Sequence, residues 1–169
     1  GNTDALFCLR SVQNDLVVSN NTLLQDIHLP NLTDTNTITI SSNGSLSSID
    51  SPALFSTNSI TITNNADLLT IEAPNLDTIE GACTIENNTL LHEVLFPNLE
   101  QVIQTLRIAS NARLSILEFG ALGYISGNLI VENNDLLESL SLLSLTGVGG
   151  FVALGDNDRL LTISMNAVD

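Results

Sequence analysis

The chain has 169 residues, 43% of them hydrophobic and only 4% aromatic, which suits one domain with a narrow aliphatic core. Its formal net charge is −15, from nineteen acidic residues against four basic ones. That balance excludes nucleic acid as a partner, because phosphate binding rests on cationic side chains, and it argues equally against anionic membrane surfaces.

Residues 1 to about 14 read as an incomplete leading coil, in which Leu9 and Val12 already keep the phase of the later coils. From there one pattern recurs, clearest in the stretch SITITNNADLLTIEAPNLDTIEG at 59–81. Take Asn65 as reference. Apolar residues stand five and three before it (Ile60, Ile62) and three, six, eleven and fourteen after it (Leu68, Ile71, Leu76, Ile79), with Pro74 nine after. The same frame fits Asn21, Asn43, Asn65, Asn88, Asn111, Asn134 and Asn157, at steps of 22, 22, 23, 23, 23 and 23 residues. A fixed period in the twenties is the mark of a solenoid.

The columns of this frame carry the fold. Five before each asparagine stand Leu16, Ile38, Ile60, Cys83, Leu106, Leu129 and Val152, and three before stand Val18, Ile40, Ile62, Ile85, Ile108, Val131 and Leu154. The spacing of two and the β-branched bias predict a strand with one face inward. Three after stand leucines throughout, and six after stand Ile27, Ile49, Ile71, Val94, Leu117, Leu140 and Ile163. These later columns are too widely spaced for one continuous strand and suit a coil turning a corner. No coil can bury its own apolar side, so coils must stack. With about six inward side chains per coil, each contributing roughly 1.5–3 kcal/mol, the stack is well supplied against chain entropy.

The reference asparagines predict a buried ladder, each amide bonding free backbone groups at its corner and the asparagine of the next coil. Seven before them stand Asn14, Asn36, Asn58, Gly81, Gln104, Gly127 and Gly150, a column expected to adopt positive φ at a tight turn. Proline recurs at Pro30, Pro52, Pro74 and Pro97, then gives way to Gly120, Leu143 and Asn166, so the repeat drifts without ending before Val168. Cys83 reads as a buried free thiol. Cys8 lies more than three coils away, too far for the two to pair.

The sequence predicts an all-β, right-handed parallel β-solenoid of about seven 22–23-residue coils with an asparagine ladder. It forms one domain over 1–169, either a mature form or a segment of a longer chain. No apolar run reaches membrane-spanning length, so no insertion is expected.

Four sequons occur. Asn43 falls in the ladder and should be inaccessible. Asn20, Asn31 and Asn87 sit at corners and are candidate glycosylation sites. The acidic runs Gly155-Asp156-Asn157-Asp158 and Glu132-Asn133-Asn134-Asp135 lack the spacing of a calcium loop. No metal site, cofactor or catalytic constellation is expected, and His28 and His92 fall at different phases. The candidate contact surface is the outward strand face: Thr39, Thr61, Thr84, Arg107, Ile130, Phe151 and Ala153. Its threonines favour strands in any case. They also look like the arrays of ice-binding solenoids, although Glu86 and Arg107 interrupt the lattice. Ile130, Phe151 and Ala153 make an apolar patch that points to a contact with protein or another copy.

The pattern in 60–81 and again in LIVENNDLLESLSLLSLTGVGG at 129–150 resembles the receptor L domain, a relative of leucine-rich repeats, especially its form in fungal cell-surface and cell-wall proteins. The resemblance covers nearly the whole chain and implies an extracellular or cell-surface setting. In receptors such domains bind protein ligands, and in walls they serve structure or adhesion. The chain lacks the paired cap cysteines of receptor examples. The first expectation is therefore a non-enzymatic extracellular structural or adhesive protein that self-associates through solenoid ends or sides. The second is a ligand-binding ectodomain holding a protein or glycan on its outward strand face. The third is ice binding.

Overall fold

The computed structural model describes residues 6–166; the place expected for Val168 lies outside them. Among the described residues eighteen strands follow one another, with no α-helix. They are β1 (Ser11–Ser19), β2 (Asp26–His28), β3 (Asp34–Ser41), β4 (Ser48–Asp50), β5 (Ser56–Thr63), β6 (Thr70–Glu72), β7 (Thr78–Ile79), β8 (Cys83–Glu86), β9 (Glu93–Leu95), β10 (Gln101–Val102), β11 (Leu106–Ala109), β12 (Ile116–Glu118), β13 (Tyr124–Ile125), β14 (Leu129–Glu132), β15 (Ser139–Leu142), β16 (Gly147–Val148), β17 (Val152–Ala153) and β18 (Thr162–Met165). Every strand pair is parallel, and each strand pairs with its counterpart one coil away, as in Ile38↔Ile60↔Cys83. The result is a β-solenoid of about 7 turns, about 23 residues apart.

Two faces dominate. An 11-stranded sheet carries the strand that precedes each asparagine, together with the two-residue strands near the end of each coil. A 5-stranded sheet, β12-β9-β6-β4-β2, carries the segment after the asparagine, and β15 pairs β18 beyond it. The second face adds short strands where the sequence predicts only a coil turning a corner. Three residues per turn of the solenoid, with only the middle one inward, make too short a run to show alternation. Stacking in register nevertheless pairs them.

The step from 22 to 23 residues has a definite place. Thr57 pairs Ile79, a step of 22, while Ile60 pairs Cys83, a step of 23. The added residue therefore enters within Glu80-Gly81-Ala82 and splits one long strand, β5, into β7 and β8. The same corner explains two polar residues in the core. Thr35 and Thr57 occupy the inward column that later holds Ile79, Val102 and Ile125, and both are buried. Their hydroxyls donate to Asn14 O and Asn36 O, each at 3.1 Å, which satisfies the carbonyls where the long strands bend.

The core is aliphatic but not free of aromatics. The column eight after the asparagines runs Leu29, Ser51, Ala73, Phe96, Phe119, Leu142, and all six are buried. Phe96 and Phe119 pack with ring centroids 6.0 Å apart and ring planes tilted by 43°. Where Ser51 and Ala73 stand instead, a small apolar void of about 20 Å³ remains beside Phe96. Coil spacing thus leaves room for phenylalanine at one column, so the narrow-core expectation holds only for the rest.

The column expected to adopt positive φ does not: no glycine among the described residues has it. Asn20, Ser42, Asn64, Asn87, Ser110, Asn133 and Asp156 do, all between 52° and 58°. They stand one before each ladder asparagine, where the chain leaves the first sheet. Glycine is used seven before the asparagine for a different reason. A Cβ at Gly81 would lie 2.6 Å from Asn58 O, and one at Gly127 would lie 2.6 Å from Gln104 C. The demand there is close approach of neighbouring coils, not a left-handed backbone.

Candidate functional site

The ladder positions everything outside it. Each asparagine Oδ1 accepts from the backbone N–H and the Nδ2 of the asparagine one coil earlier, as in Asn65 N to Asn88 Oδ1 at 3.0 Å and Asn65 Nδ2 to the same atom at 3.3 Å. From Asn43 onward each Nδ2 also donates back to the inward carbonyl three before the earlier asparagine, as in Asn88 to Ile62 O at 3.0 Å, whereas Asn21 Nδ2 donates to Ser19 O. The chain of bonds runs unbroken from Asn21 through Asn43, Asn65, Asn88, Asn111 and Asn134 to Asn157. Asn43 to Asn134 are fully buried, whereas Asn21 is exposed and Asn157 half-buried. The ladder is thus structural along its length, and its first and last members are the ones open to solvent.

The three candidate glycosylation sites differ. Asn20 and Asn87 are exposed at the left-handed corner, and asparagine suits that backbone whether or not it carries sugar. Asn31 is exposed, but its Nδ2, the atom a glycan would occupy, donates to Phe7 O at 2.6 Å. Asn75 and Asn98 make the same bond to Pro52 O and Pro74 O without belonging to sequons. Asparagine at this column therefore has a structural role of its own.

On the outward strand face, Thr39, Thr61 and Thr84 stand in register on adjacent strands, and Arg107, Ile130 and Ala153 continue the row. Arg107 is not an isolated interruption. Its Nη2 lies 3.1 Å from Glu86 Oε1 and its Nη1 lies 3.6 Å from Glu132 Oε2, so one guanidinium bridges the carboxylates of the coils on either side. The hydrogen bond to Glu86 raises the Arg107 pKa, and the two carboxylate charges add to the shift. Ala109, in register between Glu86 and Glu132, has no exposed surface. Phe151 is 57% exposed at the end of the face, near part-exposed Ile130 and Ala153.

The histidines stay apart. His28 Nδ1 lies 2.6 Å from Asp50 Oδ2, and His92 Nδ1 lies 2.9 Å from Ser115 Oγ. Among the described residues no three His, Cys, Asp or Glu side chains converge on one point. Cys8 is free and exposed; Cys83 is free and buried, and burial pushes its thiol up to about 12.

One site was missed by the sequence reading. Between the ladder corner and the second sheet runs an open groove of about 320 Å³, lined by Leu69, Leu90, His92, Arg113, Leu136 and Arg159 among others. Arg113 and Arg159 stand at the same offset, two after their asparagines, with Leu136 between them. The signal was present in the sequence as a recurrence of a rare residue type, since the chain has four arginines and no lysine.

No protein-family model, no curated protein and no solved structure matches the chain. Among the described residues no helix is long and apolar enough to cross a membrane.

Proposed function

We propose that the chain is a non-enzymatic structural or adhesive protein of an extracellular surface, acting by self-association as a subunit of a layer, wall or filament. The observation that carries this reading is the apolar patch on a strongly acidic rod: Phe151, 57% exposed, immediately before β17, whose part-exposed Ala153 pairs with part-exposed Ile130. Exposed aromatic surface of this kind marks a contact. The resemblance to wall-type L domains and the exposed sequon asparagines support the extracellular setting. Light scattering over a concentration series, beside negative-stain microscopy, tests the reading. Concentration-dependent assemblies that weaken in Phe151→Ser are expected. A monodisperse monomer throughout the series would overturn it.

A second reading is a ligand-binding ectodomain. It draws on the in-register hydroxyl row Thr39, Thr61 and Thr84, which ends at the Arg107 bridge and offers a polar strip to a protein or glycan. Saturable binding on a glycan array, lost in Thr61→Val, would favour it over self-association. Ice binding would use the same row, but its lattice ends where Arg107 binds Glu86.

A further inference from the structure

We infer that copies of this chain associate side by side, with Arg113, Leu136 and Arg159 of one copy seated on Glu72, Leu95 and Glu118 of another. This rests on the self-association proposed above and names the surfaces that would carry it.

The two stripes are matched by construction. Glu72, Leu95 and Glu118 stand in register on β6, β9 and β12, in an acid–leucine–acid order across three coils. Arg113, Leu136 and Arg159 stand two after Asn111, Asn134 and Asn157, in a base–leucine–base order across three coils. Both triplets take their spacing from the same coil rise, so the charges in each are about 10 Å apart. A parallel neighbour staggered by two coils therefore sets Arg113 against Glu72, Leu136 against Leu95 and Arg159 against Glu118 together. Leu95 and Leu136 are part-exposed, while Arg113, Arg159 and Glu118 are exposed.

Charge decides which surface the acidic stripe can meet. The rod carries −15 overall, so most of its surface repels a second copy. Of its four arginines, Arg107 is already held by Glu86 and Glu132. Arg113 and Arg159 have no carboxylate within 4.0 Å among the described residues, although Glu138 lines the same groove. They form the one pair of unmatched cations on a common stripe among the described residues. In this parallel arrangement the contact uses different surfaces on the two copies and shifts each by two coils along the axis, so it does not close into a ring and repeats into an open ribbon.

The test is a charge exchange. One variant carries Arg113→Glu with Arg159→Glu; the other carries Glu72→Arg with Glu118→Arg. Arg113, Arg159 and Glu118 are exposed and Glu72 is part-exposed, and circular dichroism checks that each variant keeps its strands. Each alone should lose association by about tenfold or more, judged by light scattering. Mixed in equal amounts, the two should regain it, because each then offers the charge the other lacks. Both variants remain strongly acidic, so general attraction does not produce that recovery. If the wild type assembles and either variant assembles equally well, or the mixture fails to recover, the stripe pairing is overturned while self-association stands. A wild type that stays monomeric overturns both.

Discussion

The ladder asparagines show how one residue type can do different work along a single column. Asn88 is fully buried and connects three coils: it accepts from Asn65 and donates to Asn111 Oδ1 and Ile62 O. Asn88→Ala leaves the Asn65 amide and the Ile62 carbonyl without these partners, at a cost of roughly 1–3 kcal/mol for each buried group stranded. Asn21 sits at the exposed end of the ladder, where water can replace its bonds. Asn21→Ala should therefore cost under about 1 kcal/mol. Urea titration of both variants measures the contrast, and equal losses would mean that the ladder bonds do not stabilise the core. Cys83 offers a second test. Burial holds its thiol neutral up to about 12, against an ordinary value of 9.0. The unfolded thiol ionises first, so the native state loses stability as pH rises from about 9 towards about 12. Cys83→Val keeps an apolar side chain in the column and removes that ionisation. Its stability relative to the wild type should grow over the same interval. In the native wild type at neutral pH, a thiol reagent should label Cys8 and spare Cys83.

At the scale of the element, the corner before each long strand separates two demands that look alike in a sequence. Glycine and asparagine both suggest positive φ, yet the left-handed residues are Asn20, Ser42, Asn64, Asn87, Ser110, Asn133 and Asp156. Gly127 answers a steric need instead, since an added Cβ would meet Gln104 C at 2.6 Å and Thr105 N at 2.9 Å. Those atoms are backbone and cannot swing away. Gly127→Ala should cost roughly 1–3 kcal/mol as overpacking. Gly44→Ala, with nothing within 4 Å of the added Cβ, should be close to neutral. A thermal melt of each distinguishes close approach from backbone strain. The second sheet was not legible at this scale. A strand such as Thr70–Glu72 has one inward residue between two outward ones. No period can be read from a single inward position.

For the whole molecule, the period is the governing quantity. Nearest-neighbour stacking means that a coil can be removed without disturbing those beyond it, provided the register closes again. Deleting residues 89–111 removes one full 23-residue step from Asn88 to Asn111 and joins Asn88 to Ala112 in frame. The shortened chain should fold, with strand-rich circular dichroism and a smaller urea m-value. Deleting 89–105 instead breaks the phase of every column beyond it and should prevent cooperative folding.

Residue order alone dictates the solenoid: its coil length, its four unbroken apolar columns and the place of the ladder. Each coil repeats the same inward side chains, so periodicity reports stacking without any coordinates. Packing in three dimensions settles which strands pair at the 22-to-23 step, which column takes the left-handed backbone, and why two threonines belong in the core. It also settles that Arg107 bridges two carboxylates while Arg113 and Arg159 share an open groove. These features depend on distances between neighbouring coils. Residues a full period apart become neighbours only once the stack has formed, and the side chains that meet there are chosen by that contact.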